Sequence, residues 1–218
     1  MSMASYFNRK DGKDMDKKYL MGHSDSLTRF ASGGDDSTYI SPGLHSNLLM
    51  TALRKACVFY SNFFNKPISN IDFQKLAIEY SKIRTHALSL ELFEEGGIRE
   101  KDHLNFYCLG YILSPEIYIE SGVFIGSSLH AFIKSPNLKK TIAIDPNLGA
   151  LRIPKKEIPG CILIDREDFS QIEIDHLGQK SLVFFDDHID TTDRIIQSSK
   201  KGFIYLLFDD STGLEGIC

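Results

Sequence analysis

The sequence predicts an α/β fold: a doubly wound, mostly parallel sheet preceded by helices. Three observations predict it. Five short runs after residue 115 are near-continuously apolar: Ile117-Tyr118-Ile119, Thr141-Ile142-Ala143-Ile144, Cys161-Ile162-Leu163-Ile164, Leu182-Val183-Phe184-Phe185 and Phe203-Ile204-Tyr205-Leu206-Leu207-Phe208. Strands buried on both faces read this way. Segments between them, such as 127–135 and 191–201, suit crossovers between parallel strands. Upstream, apolar residues recur at three- and four-residue steps, the helical period.

Three regions follow in order. Residues 1–43 read as a flexible polar tail, because half of them are Gly, Ser, Asp or Lys and they follow neither period. Tyr19, Leu20, Phe30, Tyr39 and Ile40 are the side chains by which such a tail docks on a body. Residues 44–114 read as helical. Leu48, Leu49, Ala52, Leu53, Ala56 and Phe59 form one apolar stripe. Ser69-Asn70-Ile71-Asp72 supplies a cap before Phe73, Leu76, Ala77 and Tyr80. A third helix runs from about Asp102 to Leu113, stopping before Ser114-Pro115. Residues 115–218 carry the sheet.

Composition narrows the function. A net charge of -4 disfavours a broad field for nucleic acid, and 42% hydrophobic residues suffice for a core. No apolar run approaches the roughly 18 residues of a membrane span, and no secretion signal opens the chain. Cys57, Cys108, Cys161 and Cys218 are scattered and read as core or boundary thiols. These features predict a soluble, cytoplasmic protein without nucleic-acid or membrane partners.

Nearly every predicted strand ends in acid: Glu120, Asp145, Asp165, Asp186-Asp187 and Asp209-Asp210. Carboxyl ends of strands form the ligand crevice of open α/β sheets, so these acids converge on one rim. The first strand leads into Glu120-Ser121-Gly122-Val123-Phe124-Ile125-Gly126-Ser127-Ser128, a strand, glycine turn and helix start. A dinucleotide fingerprint wants three glycines; two glycines preceded by a carboxylate suit a ligand with ammonium and sulfonium charge instead.

This pattern resembles the class I S-adenosylmethionine-dependent methyltransferases, whose first motif is an acid, any residue, Gly, three residues, Gly. The resemblance implies a Rossmann-like sheet of order 3-2-1-4-5 and S-adenosylmethionine as cofactor. It implies that Glu120, Gly122, Gly126 and Ser127 hold the cofactor's methionine end, Asp145 its ribose, and Asp168-Phe169 its adenine. Ser127 and Ser128 also read as helix caps. The downstream acids look like those of the macrocin O-methyltransferase and cephalosporin-hydroxylase-like branch. By that resemblance Asp186, Asp209 and Asp210 bind a divalent cation such as Mg²⁺, and Asp187 and His188 lie beside it as catalytic candidates. Without a metal these acids read as solvated loop tips or helix caps, and His188 reads equally as a base or as a surface group bonded to a neighbouring Asp. Asp190 and Thr191 read as caps of the following helix.

The remaining candidates are blander. His130 reads as a surface or boundary residue and His176 as solvated. Gly96-Gly97 reads as a helix C-cap, the alternative being a loop closing over the cofactor. The chain stops soon after the fifth strand, where the resembled family adds two more. That departure predicts a natural short form, a truncated product, or a fragment whose fifth strand is covered by the tail, the helices or a second copy; the alternative to an active enzyme is a catalytically inactive binding or scaffold protein or a truncated fragment of such an enzyme. The expected activity is O-methylation of a sugar or other hydroxylated small molecule. A nicotinamide-dependent dehydrogenase fits the two-glycine turn less well.

Overall fold

A computed structural model describes residues 42–94, 96–174, 180–203 and 205–209. The proposed tail anchors, His176, Asp210 and Cys218 lie outside them. Five strands, β1 (Ile117–Ser121), β2 (Lys140–Ile144), β3 (Cys161–Ile164), β4 (Ser181–Phe185) and β5 (Tyr205–Phe208), form one sheet in the order β3-β2-β1-β4-β5. Every neighbouring pair is parallel. The predicted α/β class and strand order are those observed.

Alternation along the strands sorts the core into two faces. Tyr118, Ala143, Leu182 and Phe184 face the helical side, with partly buried Leu163 and Leu207. Ile119, Ile142, Ile144, Val183 and Phe185 face the other side and pack with Phe169, Ile172 and Phe203. Both faces are covered, which is why the strands read as unbroken apolar runs.

The helical side is built by α1 (Pro42–Phe64), α2 (Phe73–Ser89), α3 (Glu100–Leu113) and the short α4 (Ser127–Phe132). Asp72 caps α2 as its sequence predicts, accepting from Gln74 N and Lys75 N at 3.0 and 3.1 Å. Phe73, Leu76, Ala77 and Tyr80 are buried beneath it. The chain leaves α3 through Ser114, which adopts a left-handed conformation directly before Pro115. In α1 the buried stripe is rotated from the predicted one. Leu49, Leu53, Cys57 and Tyr60 face the core, while Leu48 and Phe59 are exposed. The apolar residues of α1 surround too much of the helix for spacing alone to choose a face.

On the opposite side, α5 (Thr191–Lys200) connects β4 to β5, with Asp190 as its N-cap. The edge strand β5 meets α1: Phe64 packs edge-on against Tyr205, with ring centroids 5.7 Å apart. A helix therefore shields the amino end of this edge. No helix among the described residues is long and apolar enough to cross a membrane. Cys57 and Cys108 are buried free thiols and Cys161 is half-buried.

Candidate functional site

From β1 the sheet grows one way through β2 and β3 and the other way through β4 and β5. Its crevice-forming switch point is thus at the carboxyl ends of β1 and β4. Ser121 pairs with Phe185 there, and the glycine turn leaves β1 at that place. Sequence order and topology put the turn where such sheets bind ligands.

The turn is tightly held. Gly122 and Gly126 have φ of 88° and 89°, and Phe124 between them has φ of 46°. Gly122 must be glycine on two counts, since a Cβ there would also lie 2.3 Å from the Asp186 carbonyl oxygen. Asp145 ties the turn to β2: Phe124 N donates to Oδ2 and Asn147 N donates to Oδ1, both at 2.7 Å. Those two amides leave the carboxylate with further acceptor capacity. The Phe124 ring, 43% exposed, stands over the turn.

The loop before α3 closes on this turn. Ile98 N donates to Ser127 Oγ at 3.1 Å, and a Cβ on Gly96 would touch the Phe124 ring at 2.7 Å. Gly96-Gly97 is therefore not a helix C-cap, because α2 already ends at Ser89. It packs against the turn, at Ser127 and the Phe124 ring.

Glu120 lies inside β1 rather than beyond its end, on the same face as Tyr118, two residues earlier. It is fully buried. Tyr118 Oη donates to its Oε2 and Ser128 Oγ to its Oε1, each at 2.5 Å. Burial pushes its carboxyl up to about 8 against the pull of those two hydrogen bonds, with the charges of Asp186 and Asp145 adding to the rise. Burial thus favours the neutral form of this inward-facing acid. Its distance from charge-bearing solvent follows from strand alternation, which the motif alone does not reveal.

On the other face a buried arginine gathers three of the candidate segments. Arg194, on α5, is 1% exposed. Its Nη1 and Nη2 reach Asp168 Oδ1 and Oδ2 at 3.0 and 2.6 Å, and Nη2 lies 2.7 Å from Asp187 Oδ2. Ser121 Oγ donates to that same Asp187 oxygen at 2.5 Å. The guanidinium lies over the rings of Phe169 and Phe185 at 5.7 and 5.5 Å. Hydrogen bonding to Arg194, with lesser help from Ser170, holds the Asp168 carboxyl well below the usual carboxylate range. Phe169 is fully buried, edge-on to Phe185 at 4.8 Å. Arg194 escapes sequence reading because an i to i+4 cation on a polar helix resembles any solvated residue. Its cue is the apolar company of Phe169 and Phe185, visible only in three dimensions.

The acids proposed for a metal are spread along two strand ends. Asp186 follows β4 and Asp209 follows β5, where Asp209 N bonds the Phe185 carbonyl at 3.0 Å. His188 is exposed, with φ of 56°. Asp187 is engaged with Ser121 and Arg194. Among the described residues no group of three His, Cys, Asp or Glu side chains is arranged to hold a metal ion. Asp210, the third acid proposed for the metal, lies outside the described residues. Elsewhere a cavity of about 60 Å³ lies at the amino ends of β1, β4 and β5, lined by Lys66, Leu113, Pro115, Lys180, Leu182 and Tyr205. It is smaller than a nucleoside site.

His130 corrects the sequence reading outright: it is fully buried, not at the surface. It contacts two further histidines, His86 and His103, that the sequence reading passed over.

No family model matches the sequence. No curated protein matches it. One solved structure similar to this chain is cmcI-N160 SAH, at 16% identity, covering 57% of this chain and 68% of that one, with a TM-score of 0.44. A likeness of that size carries no argument about activity, and the fold assignment stands on the strand ladders themselves.

Proposed function

We propose that the chain is an S-adenosylmethionine-dependent methyltransferase acting on the oxygen of a hydroxylated small molecule. The observation that carries this reading is the acid-x-Gly-x₃-Gly turn at the topological switch point, joined to Asp145 at the next strand end through Phe124 N. When bound, the cofactor supplies an electrophilic methyl group. Asp145 has acceptor capacity left for ribose hydroxyls, and the exposed Phe124 ring offers an apolar face beside them. Holding the acceptor oxygen in line with the methyl carbon supplies much of the rate in such a reaction. Asp187 and His188 lie at the β4 end of the same crevice.

A second reading has its own support. The close approach that Gly122 permits is taken by the Asp186 backbone, and the Glu120 carboxyl is buried and held by Tyr118 and Ser128. Both suit a catalytically inactive binding or scaffold protein of the same fold. Calorimetric titration of the full chain with S-adenosylmethionine, S-adenosylhomocysteine and NAD separates the readings. The methyltransferase reading expects the two sulfur nucleosides to bind and NAD not to, with methyl transfer to a panel of hydroxylated acceptors. Binding without transfer supports the second reading, and no binding of either sulfur nucleoside defeats the first.

A further inference from the structure

Behind the glycine turn three histidines stand in a single hydrogen-bonded file. His86 Nδ1 lies 3.0 Å from His130 Nε2, and His130 Nδ1 lies 3.0 Å from His103 Nε2. His103 Nδ1 lies 3.2 Å from Tyr80 Oη, which is 3.5 Å from the Glu100 carbonyl oxygen. At the outer end His86 Nε2 is 3.4 Å from Glu157 Oε2. His103 and His130 are fully buried, whereas the His86 side chain is 36% exposed.

Each nitrogen–nitrogen contact holds one hydrogen, so one ring donates and its neighbour accepts. A neutral imidazole has a single N–H, and the tautomers of adjacent rings are therefore locked together. With all rings neutral, one direction satisfies every group. Tyr80 donates to His103 Nδ1, His103 Nε2–H to His130 Nδ1, His130 Nε2–H to His86 Nδ1, and His86 Nε2–H to Glu157. When His86 gains a second proton, both of its nitrogens donate. His130 must then accept at Nε2 and donate from Nδ1. His103 must accept at Nε2 and donate from Nδ1 to Tyr80, whose hydroxyl turns to the Glu100 carbonyl. Retaining the first direction would set two N–H groups against each other in a buried site. Each of the three bridging hydrogens moves one partner toward His86, whose Nδ1 takes the last and whose ring, beside Glu157, carries the charge. The Tyr80 oxygen, emptied by the first of these shifts, takes the one proton gained from solvent and donates it to the Glu100 carbonyl.

We propose that His86, His130, His103 and Tyr80 form a proton relay whose direction is set by the charge on His86, transmitting solvent pH to the junction of α2, α3 and α4. The groups facing it from each element support that division of labour. Arg84 on α2 and Lys134 after α4 are cations, and among the described residues Glu157, on the turn Lys155–Glu157, is the carboxylate paired with the outer ring. Burial, reinforced by Lys134 and Arg84, lowers His103 to about 3; burial, then His103, Lys134 and His86, lowers His130 to about 2. Burial and the neighbouring cations thus favour the neutral form of both inner rings. His130 stands on the helix that the glycine turn opens, and its backbone N bonds the Gly126 carbonyl at 2.8 Å. None of this depends on methyl transfer.

Two-bond ¹H–¹⁵N correlation spectra of the ¹⁵N-histidine-labelled full chain, taken from about pH 8.5 to about pH 5, test the relay across histidine's ordinary range. The expected result is that His130 and His103 both carry Nε2–H at high pH and both change to Nδ1–H, uncharged, with the midpoint of His86. Glu157→Gln should lower that shared midpoint by about half a unit, a threefold change in proton affinity, because a half-exposed pair is worth little more. His86→Phe should leave His130 in one tautomer throughout. An inner ring that keeps a single tautomer in the wild type, or that changes with a midpoint different from that of His86, overturns the proposal.

Discussion

The guanidinium of Arg194 meets the Asp168 carboxylate at two points, Nη1 to Oδ1 at 3.0 Å and Nη2 to Oδ2 at 2.6 Å. Asp168 comes from the segment after β3 and Arg194 from the helix after β4, so the contact ties the two wings of the sheet across its face. The planar fork suits a carboxylate in a way that a lysine ammonium does not.

Removing the arginine should therefore be costly. Arg194→Met keeps the apolar contacts with Phe169 and Phe185 but leaves two carboxylates without their cation. Breaking a fully buried pair costs about 3–5 kcal/mol; with Asp168 side-chain exposure at 42%, we expect about 2–3 kcal/mol by urea unfolding at neutral pH. The Asp168 carboxyl is depressed in the folded state, so its contribution is present above its ordinary value of 3.8 and lost as pH falls below it. The gap between wild type and Arg194→Met should accordingly narrow in acid.

Glu120 behaves in the opposite sense. Its folded carboxyl is raised from 4.5 to about 8, so its stabilising contribution is full below pH 4.5 and is lost as pH rises toward 8. Glu120→Gln cannot ionise. The stability difference, variant minus wild type, should grow with pH across that window by at most about 1.4 kcal/mol per unit. Paired unfolding curves at several pH values measure it, and a difference flat in pH would show that Glu120 is not held neutral.

The two buried histidines make the fold sensitive to acid. Their folded values lie below the ordinary 6.5, so their contribution is complete above 6.5 and is lost as pH falls toward about 3. Tyr80→Phe removes the hydroxyl partner of His103 Nδ1 and should cost about 1–2 kcal/mol at pH 8. Thermal unfolding across pH checks both effects.

Gly122 and Gly202 form a controlled pair. Both have positive φ, at 88° and 80°, but a Cβ on Gly122 strikes the Asp186 backbone while one on Gly202 meets nothing within 4 Å. Gly202→Ala should cost about 1 kcal/mol for conformation alone. Gly122→Ala should cost at least about 2 kcal/mol more, because backbone has to move. Equal losses in urea unfolding would remove the close approach from the account.

The strand runs and the Asp72 cap were legible because each signal is local: a buried parallel strand has no polar face to show, and a cap lies within three residues of its amides. The strand order was legible only through the resemblance, since no residue pattern encodes which parallel strand lies next to which. What escaped depends on orientation. The motif spelled Glu120 correctly but not the face it takes. His130 looked like a surface residue because its partners, His86 and His103, lie 44 and 27 residues away. The contacts of Arg194 with Asp168, expected at the adenine, and with Asp187, expected as a catalytic group, join segments that no local pattern links.

The central claim is that the turn from Glu120 to Gly126, with Asp145, binds a sulfur nucleoside. Amide chemical-shift mapping of the full chain during titration with S-adenosylhomocysteine tests it most directly. The account predicts the largest shifts at Gly122, Phe124, Gly126 and Asn147, whose amides lie on the turn or on the Asp145 carboxylate. Saturating ligand with no shift at these four amides, or shifts confined to the far end of the sheet around Lys66 and Tyr205, would contradict it.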